Sequence, residues 1–191
     1  MTVKRLITDL DNSVLDFQPH FEDWAEAKGH RIKRGVINIT YELEHMFIDE
    51  VNIPELMTEF FACDETMSSF PALDNSVEPI RRLRQQGYEF VAITACEPRS
   101  GLAQVRHQNL KNLFGFDFEE VYVTGYDVPK SEVLKTFEPT FWVEDNLKHA
   151  HEGAELGHTV FLIDRDYNRH DDSFIRVKDW LEIEERINEL R

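Results

Sequence analysis

Five short apolar runs constrain this chain most, because each ends on or beside a polar residue and helical stretches lie between them. Val3–Thr8 alternates loosely and runs into Asp9. Phe90–Thr94 is apolar up to its threonine, and Val121–Thr124, Phe141–Val143 and Thr159–Ile163 read alike. Such runs suit parallel strands buried on both faces. Ser76–Gln86 puts Val77, Ile80 and Leu83 on one helical face and stops at Gly87. Leu102, Val105, Leu110 and Leu113 form another stripe, stopped near Gly115. Lys130–Phe137, Asn146–Leu156 and Asp179–Leu190 complete the helical set. Strand and helix in this rhythm predict an α/β fold, a central parallel sheet flanked by helices.

One segment breaks the rhythm. About sixty residues separate Asp16 from Ser76 without a strand of convincing period. Phe17–Lys28, Asn38–Ile48 and Pro54–Ala62 look helical, with Asn52 placed to cap the third. The segment is rich in aromatics: Phe17, Phe21, Trp24, Tyr41, Phe47, Phe60, Phe61 and Phe70. Loops beyond roughly 15 residues are uncommon, so a helical insertion over the end of the first strand is expected. The division is then a core of residues 1–15 and 76–191 with an insertion at 16–75.

A length of 191 residues fits one domain with such an insertion. With 37 acidic against 21 basic residues, the net charge of −16 repels polyanions and anionic lipid. No nucleic-acid polymer and no membrane is expected as a partner. No apolar run approaches the ~20 residues of a membrane span. Met1–Asp9 is too short and too soon polar for a signal peptide. Cys63 and Cys96 supply neither a disulfide framework nor a zinc set, so free thiols in the cytoplasm are expected.

The strand ends carry the chemistry. Ligands of open parallel sheets bind outside the carboxyl ends of the strands. Asp9-Leu10-Asp11-Asn12-Ser13 follows the first strand. A carboxylate there can attack phosphorus, and a second one two residues on can move protons. An EF-hand reading fails, because Val14 and His20 stand where glycine and glutamate are needed. Thr94 closes the second strand, where its hydroxyl and the next backbone N–H, that of Ala95, could hold a phosphoryl oxygen. Lys130 opens a helix after the third strand and could neutralise phosphate. Glu144-Asp145 ends the fourth, behind Phe141-Trp142-Val143, and needs a positive partner such as magnesium. Taken singly, each has an ordinary structural alternative: a polar turn, a strand-end threonine, a solvated lysine.

In this order and at these strand ends, the four features resemble the motifs of the haloacid dehalogenase (HAD) superfamily, over nearly the whole chain. The second aspartate is similar to the phosphatases and phosphomutases of that group, and the insertion resembles their helical cap. Asp9 to Phe17 further resembles the opening motif of the 5′(3′)-deoxyribonucleotidases, and Phe161–Arg169 a late segment of their bacterial and phage members.

The resemblance implies a Rossmann-like HAD core and a magnesium-dependent phosphomonoesterase. Asp9 is then nucleophile and metal ligand. Asp11 is general acid and base, with its backbone carbonyl on the metal, and Asp145 is a further ligand supported by Glu144. Thr94, Ala95 and Lys130 hold phosphate, and Phe17 walls a nucleoside pocket, with Trp24 and Phe47 as further candidates. Asn12 replaces a usual glycine, and asparagine tolerates unusual backbone angles. Ser13, His149 and Asp166 also depart from the pattern. The expected substrate is a small phosphate ester, a nucleoside monophosphate above all. Another small phosphate ester, a polynucleotide end, or a non-catalytic acidic binding role remain alternatives, and a homodimer is left open.

Several features are set aside. Cys96 invites a cysteine-phosphatase reading, but Leu102 stands where that loop needs arginine. His149 and His151 do not share a helical face and are expected at the surface. Asp164, Asp166, Asp171 and Asp172 suit a solvated loop, and Arg81-Arg82-Leu83-Arg84 the wet side of a helix.

Overall fold

In the computed structural model, which describes residues 4–36, 42–126 and 128–190, all five apolar runs are strands. They are β1 (Lys4–Thr8), β2 (Tyr88–Ala95), β3 (Glu120–Thr124), β4 (Phe141–Glu144) and β5 (Thr159–Ile163). A sixth, β6 (Ile175–Val177), was not expected: three residues with Arg176 at the centre carry too little pattern. The sheet is parallel throughout, in the order β3-β2-β1-β4-β5-β6. The chain winds outward from β1 through β2 to β3, then returns to place β4 on the other side of β1. That reversal opens a crevice at the carboxyl ends of β1 and β4. Thr8 lies level with Val143, and the Asp9 N–H donates to the Val143 carbonyl at 2.9 Å.

The helices between strands follow the apolar stripes: α4 (Val77–Gln85), α5 (Leu102–Phe114), α7 (Leu147–Glu155) and α8 (Trp180–Glu189). Asn146 and Asp179 cap α7 and α8 through their side chains. The helix expected over Lys130–Phe137 shrinks to one turn, α6 (Ser131–Leu134). Thr136 and Phe137 bond three residues back rather than four, so the turn tightens and ends. Ile80 and Leu83 of α4, Leu102 and Leu110 of α5, and Trp180 and Ile183 of α8 cover one face of the sheet. Leu134 of α6 and Ala150 of α7 cover the other, over Ile7, Val91 and Trp142.

The insertion holds α1 (Phe17–Ala27), α2 (Ile53–Ala62) and a single turn, α3 (Asp64–Met67). Asn52 caps α2 by accepting from the Glu55 N–H. The helix expected over Asn38–Ile48 is replaced at Leu43–Met46 by a 3₁₀ turn, and Asn38–Tyr41 lie outside the described residues. Phe21, Phe60 and Phe70 are buried, and their cluster is continuous with the core on the α4, α5 and α8 face. Two strand-like contacts fasten the base: Asp16 N–H to the Pro71 carbonyl at 2.9 Å and Leu73 N–H to the Val14 carbonyl at 2.8 Å. No helix among the described residues is long and apolar enough to cross a membrane.

One close approach sets the position of α7. A Cβ on Gly153 would lie 2.5 Å from Cδ1 of the buried Trp142 on β4. Trp142 also donates its indole N–H to the His149 carbonyl at 3.1 Å. Gly153→Ala must therefore push α7 off the sheet. The expected loss is about 1–3 kcal/mol, read from the urea midpoint, and an unchanged midpoint would mean that α7 is free to shift.

Candidate active site

Asp9 emerges from β1 at the crevice and is 4% exposed. The Lys130 ammonium lies 2.5 Å from its carboxylate and 2.8 Å from that of Glu144. Glu144 Oε1 in turn accepts the N–H groups of Asp145 and Asn146, both at 3.0 Å. Lys130 is placed by the turn that starts α6, and Glu144 by the end of β4. Each thus reaches the crevice from a backbone that cannot easily move.

Asp9, Glu144 and Asp145 offer oxygens that all lie within 4.8 Å of one another. Lys130 pairs with Asp9 and Glu144, and Asp145 adds a third carboxylate beside them. Two negative charges are left over, the complement of one divalent cation. Burial first, then repulsion from Asp145 and Asp11, push the Asp9 carboxyl up to about 7, with Lys130 pulling the other way. Burial and Glu144 push Asp145 up to about 7. Burial alone would lower the Lys130 value, but Asp9 and Glu144 outweigh it and keep the ammonium charged. Hard oxygen donors with an excess negative charge suit magnesium.

Asp11 faces elsewhere. Its carboxylate accepts from the Thr94 hydroxyl at 3.2 Å and pairs with the Arg106 guanidinium. Its side-chain oxygens are therefore not part of the acidic cluster. The turn after the second aspartate starts at Asn12, at φ +62 with its N–H on the Leu15 carbonyl at 2.8 Å. Asparagine is among the few residues that accept this left-handed angle, which is why glycine is dispensable there.

Two cavities meet at Asp11 and Ala95. The polar one holds Asp9, Lys130, Glu144, Asp145, Asn146 and His149. The other is walled by Phe17, Phe61, Met57, Leu43 and Tyr126, with Asn12 at its base. Among the described residues that line it, Asp11 is the one charged group and none is a cation. Phe17 is held there by stacking on Phe21, with ring centroids 5.5 Å apart. Trp24 and Phe47 line neither cavity: Trp24 packs edge-on to Phe60 at 5.1 Å, and Phe47 is buried against Phe21.

Asp9, Asp11, Thr94, Ala95, Lys130, Glu144, Asp145 and Phe17 thus converge on one end of the sheet. Arg106 is an addition that the sequence reading passed over. It is fully buried, lies 4.3 Å over the Phe70 ring, and its Nε and Nη1 have no hydrogen-bond partner among the described residues. Its signal was present: Arg106 falls four residues after Leu102 and four before Leu110, on the buried stripe of α5. His149 corrects an expectation. It is 7% exposed, inside the polar cavity, because the first turn of α7 starts at the crevice. Glu152 binds its Nδ1 at 3.2 Å, and burial, with Lys130 nearby, lowers it to about 4. Cys96 is buried and its thiol is pushed up to about 12 by burial, so it supplies no thiolate.

No family model matches the chain, and no curated protein matches its sequence. Solved structures do match its fold. A HAD family hydrolase from Deinococcus radiodurans R1 with bound phosphate and sodium is 15% identical, over 98% of this chain and 95% of that one, with a TM-score of 0.65. A haloacid dehalogenase-like hydrolase from Streptococcus pneumoniae is 15% identical over 97% and 98%, also at 0.65. The D,D-heptose 1,7-bisphosphate phosphatase from B. bronchiseptica, complexed with magnesium and phosphate, is 14% identical over 98% and 99%, at 0.57. At such identities the likeness is one of architecture: this chain has the fold of the haloacid dehalogenase-like hydrolases.

Proposed function

We propose that the chain is a magnesium-dependent phosphomonoesterase acting on nucleoside monophosphates in the cytoplasm. The observation that carries this is the buried Asp9–Lys130–Glu144–Asp145 group meeting, at Asp11, a cavity lined by Phe17, Phe61 and Tyr126, with no cation among its described lining residues.

Asp9 attacks phosphorus, and the bond from phosphorus to the sugar oxygen breaks. Asp11, protonated and turned from Arg106 to the point where the two cavities meet, gives that oxygen its proton. Asp11 then takes a proton from water, which attacks the aspartyl phosphate, and the phosphorus–Asp9 bond breaks to release inorganic phosphate. Lys130 offsets charge on the phosphoryl oxygens, and Thr94 with the Ala95 N–H orients them. Asp9, Asp145 and the backbone carbonyl of Asp11 would hold magnesium, which supplies further neutralisation of the phosphoryl charge when bound. The insertion at 16–75 serves as the cap that selects the leaving group and excludes water.

The second cavity favours a nucleoside. Its lining includes the rings of Phe17, Phe61 and Tyr126, an apolar aromatic setting that suits a flat group. A substrate with a second phosphate would find no cationic partner among the described residues that line the cavity. Phosphate release is to be measured from ribo- and deoxyribonucleoside monophosphates, sugar phosphates and an aryl phosphate, with magnesium and with chelator. Magnesium-dependent turnover best on one nucleotide class is the expected result. Turnover on the aryl phosphate alone would remove the nucleotide assignment, and no turnover from folded protein would remove the enzyme.

A pH dependence follows from the acidic cluster. Asp9 and Asp145 titrate near 7 when folded and near their usual 3.8 when unfolded. The metal-free folded state therefore holds more protons between these values, and their effect on stability becomes more unfavourable as pH rises through that window. Magnesium binds the deprotonated carboxylates and removes this penalty. The rise in Tm on adding magnesium should be larger at about pH 8 than at about pH 5.5. Equal shifts would show that the ion binds elsewhere.

A further inference from the structure

Asp145 is held differently from the other buried carboxylates of the site. Asp9 and Glu144 share the Lys130 ammonium, and Asp11 pairs with Arg106. Asp145, 3% exposed, meets hydroxyls instead. The Ser13 hydroxyl donates to Oδ1 at 3.3 Å, and the Tyr167 hydroxyl donates to Oδ2. Arg165 attracts it from farther off while donating to the carbonyls of Asn12 and Asp164. Neutral donors fix the direction of a carboxylate but do not cancel its charge, and the charge remains available to a cation.

The turn that carries Tyr167 is braced for this task. It follows β5, and its next residue, Asn168, is fully buried. Asn168 donates to the backbone carbonyl of Asp145 at 2.7 Å and to that of Ile163 at 2.8 Å. Its own Oδ1 accepts from the Arg165 N–H at 3.2 Å and from Arg176 of β6 at 2.5 Å. Arg176 also binds the carbonyls of Asn168 and Asp171, at 3.0 and 2.8 Å. The short edge strand β6 thus reaches the crevice through two residues. Backbone and side chain of Asp145 are gripped by adjacent residues of one turn.

We propose that Tyr167 is a positioning residue for the magnesium site, holding the Asp145 carboxylate aimed at the ion while leaving its charge intact. This rests on the reading of Asp145 as a ligand. Partners behind a metal ligand typically govern about 10–100-fold in affinity. The test is Tyr167→Phe, which removes one oxygen and keeps the ring. Calorimetric titration of the folded protein with magnesium chloride should give roughly 10–100-fold weaker binding, with an unchanged Tm in chelator. Asp145→Asn is the control and should abolish binding. Magnesium affinity within twofold of the parent in Tyr167→Phe, alongside loss in Asp145→Asn, overturns the inference, as does a fall in metal-free Tm without a change in affinity. Parental affinity in Asp145→Asn as well would overturn the ligand reading on which it rests.

Discussion

Asp9→Asn is expected to reduce magnesium-dependent phosphate release by at least about a thousandfold, the scale on which loss of a covalent nucleophile acts, and to leave the fold in place. An amide oxygen cannot form the aspartyl phosphate. The folding side of the expectation comes from the charge count in the crevice. One ammonium offsets only one of the three clustered buried carboxylates, so removing one relieves repulsion. Lys130 keeps Glu144 as its partner at 2.8 Å. Asparagine has the shape of aspartate, and the backbone bond from residue 9 to Val143 is untouched. The metal-free Tm should therefore equal that of the parent or exceed it. Circular dichroism and a melting curve check the fold, and intact-mass analysis guards against deamidation restoring the acid. Parental turnover from verified Asp9→Asn protein would remove Asp9 from the nucleophile's place.

Much of this site was legible because parallel-strand architecture converts sequence order into place. A buried strand shows itself as an apolar run, and the residue that ends the run stands at the carboxyl edge. Asp9, Thr94 and Glu144-Asp145 could be aligned that way from the sequence, Lys130 as the opener of the helix after the third strand, and Asn52 as a cap. What stayed hidden depends on contacts between distant segments. Arg106 looks like any helical arginine until Asp11 and Phe70 are placed beside it. Tyr167 lies 22 residues beyond its carboxylate, in a turn without a period of its own. Strand β6 is too short and too polar to signal itself, and pairs because β5 offers it an edge. In the insertion, aromatic content foretold burial but not which rings line a cavity. Phe17 and Phe61 do, whereas Trp24 packs on Phe60. That choice is made by the angles between α1, α2 and the sheet, which no local pattern encodes.

Lys130→Met carries the largest stability cost expected of a single change, about 3–5 kcal/mol in the metal-free protein, as for breaking a buried ion pair from one side. The ammonium is 2% exposed and bridges Asp9 and Glu144, themselves buried. Methionine fills the channel beside Trp142, whose ring lies 5.4 Å from the ammonium, so lost packing is a minor part. The cost is that of two carboxylates left without a cation in a water-poor site. Three further observations separate this cause from a simple packing defect. The loss should shrink at acid pH, where the buried carboxyls take up protons and need no partner; burial already raises both Asp9 and Glu144. It should shrink in Lys130→Met/Glu144→Gln, which removes one of the two stranded charges. Magnesium should restore part of it, because a divalent ion can neutralise the carboxylates that the lysine left behind. Urea denaturation at two pH values, with magnesium and with chelator, measures all three. A loss that is the same under every condition would mean that Lys130 serves the fold through its methylenes, and its part in charge balance at Asp9 would have to be given up.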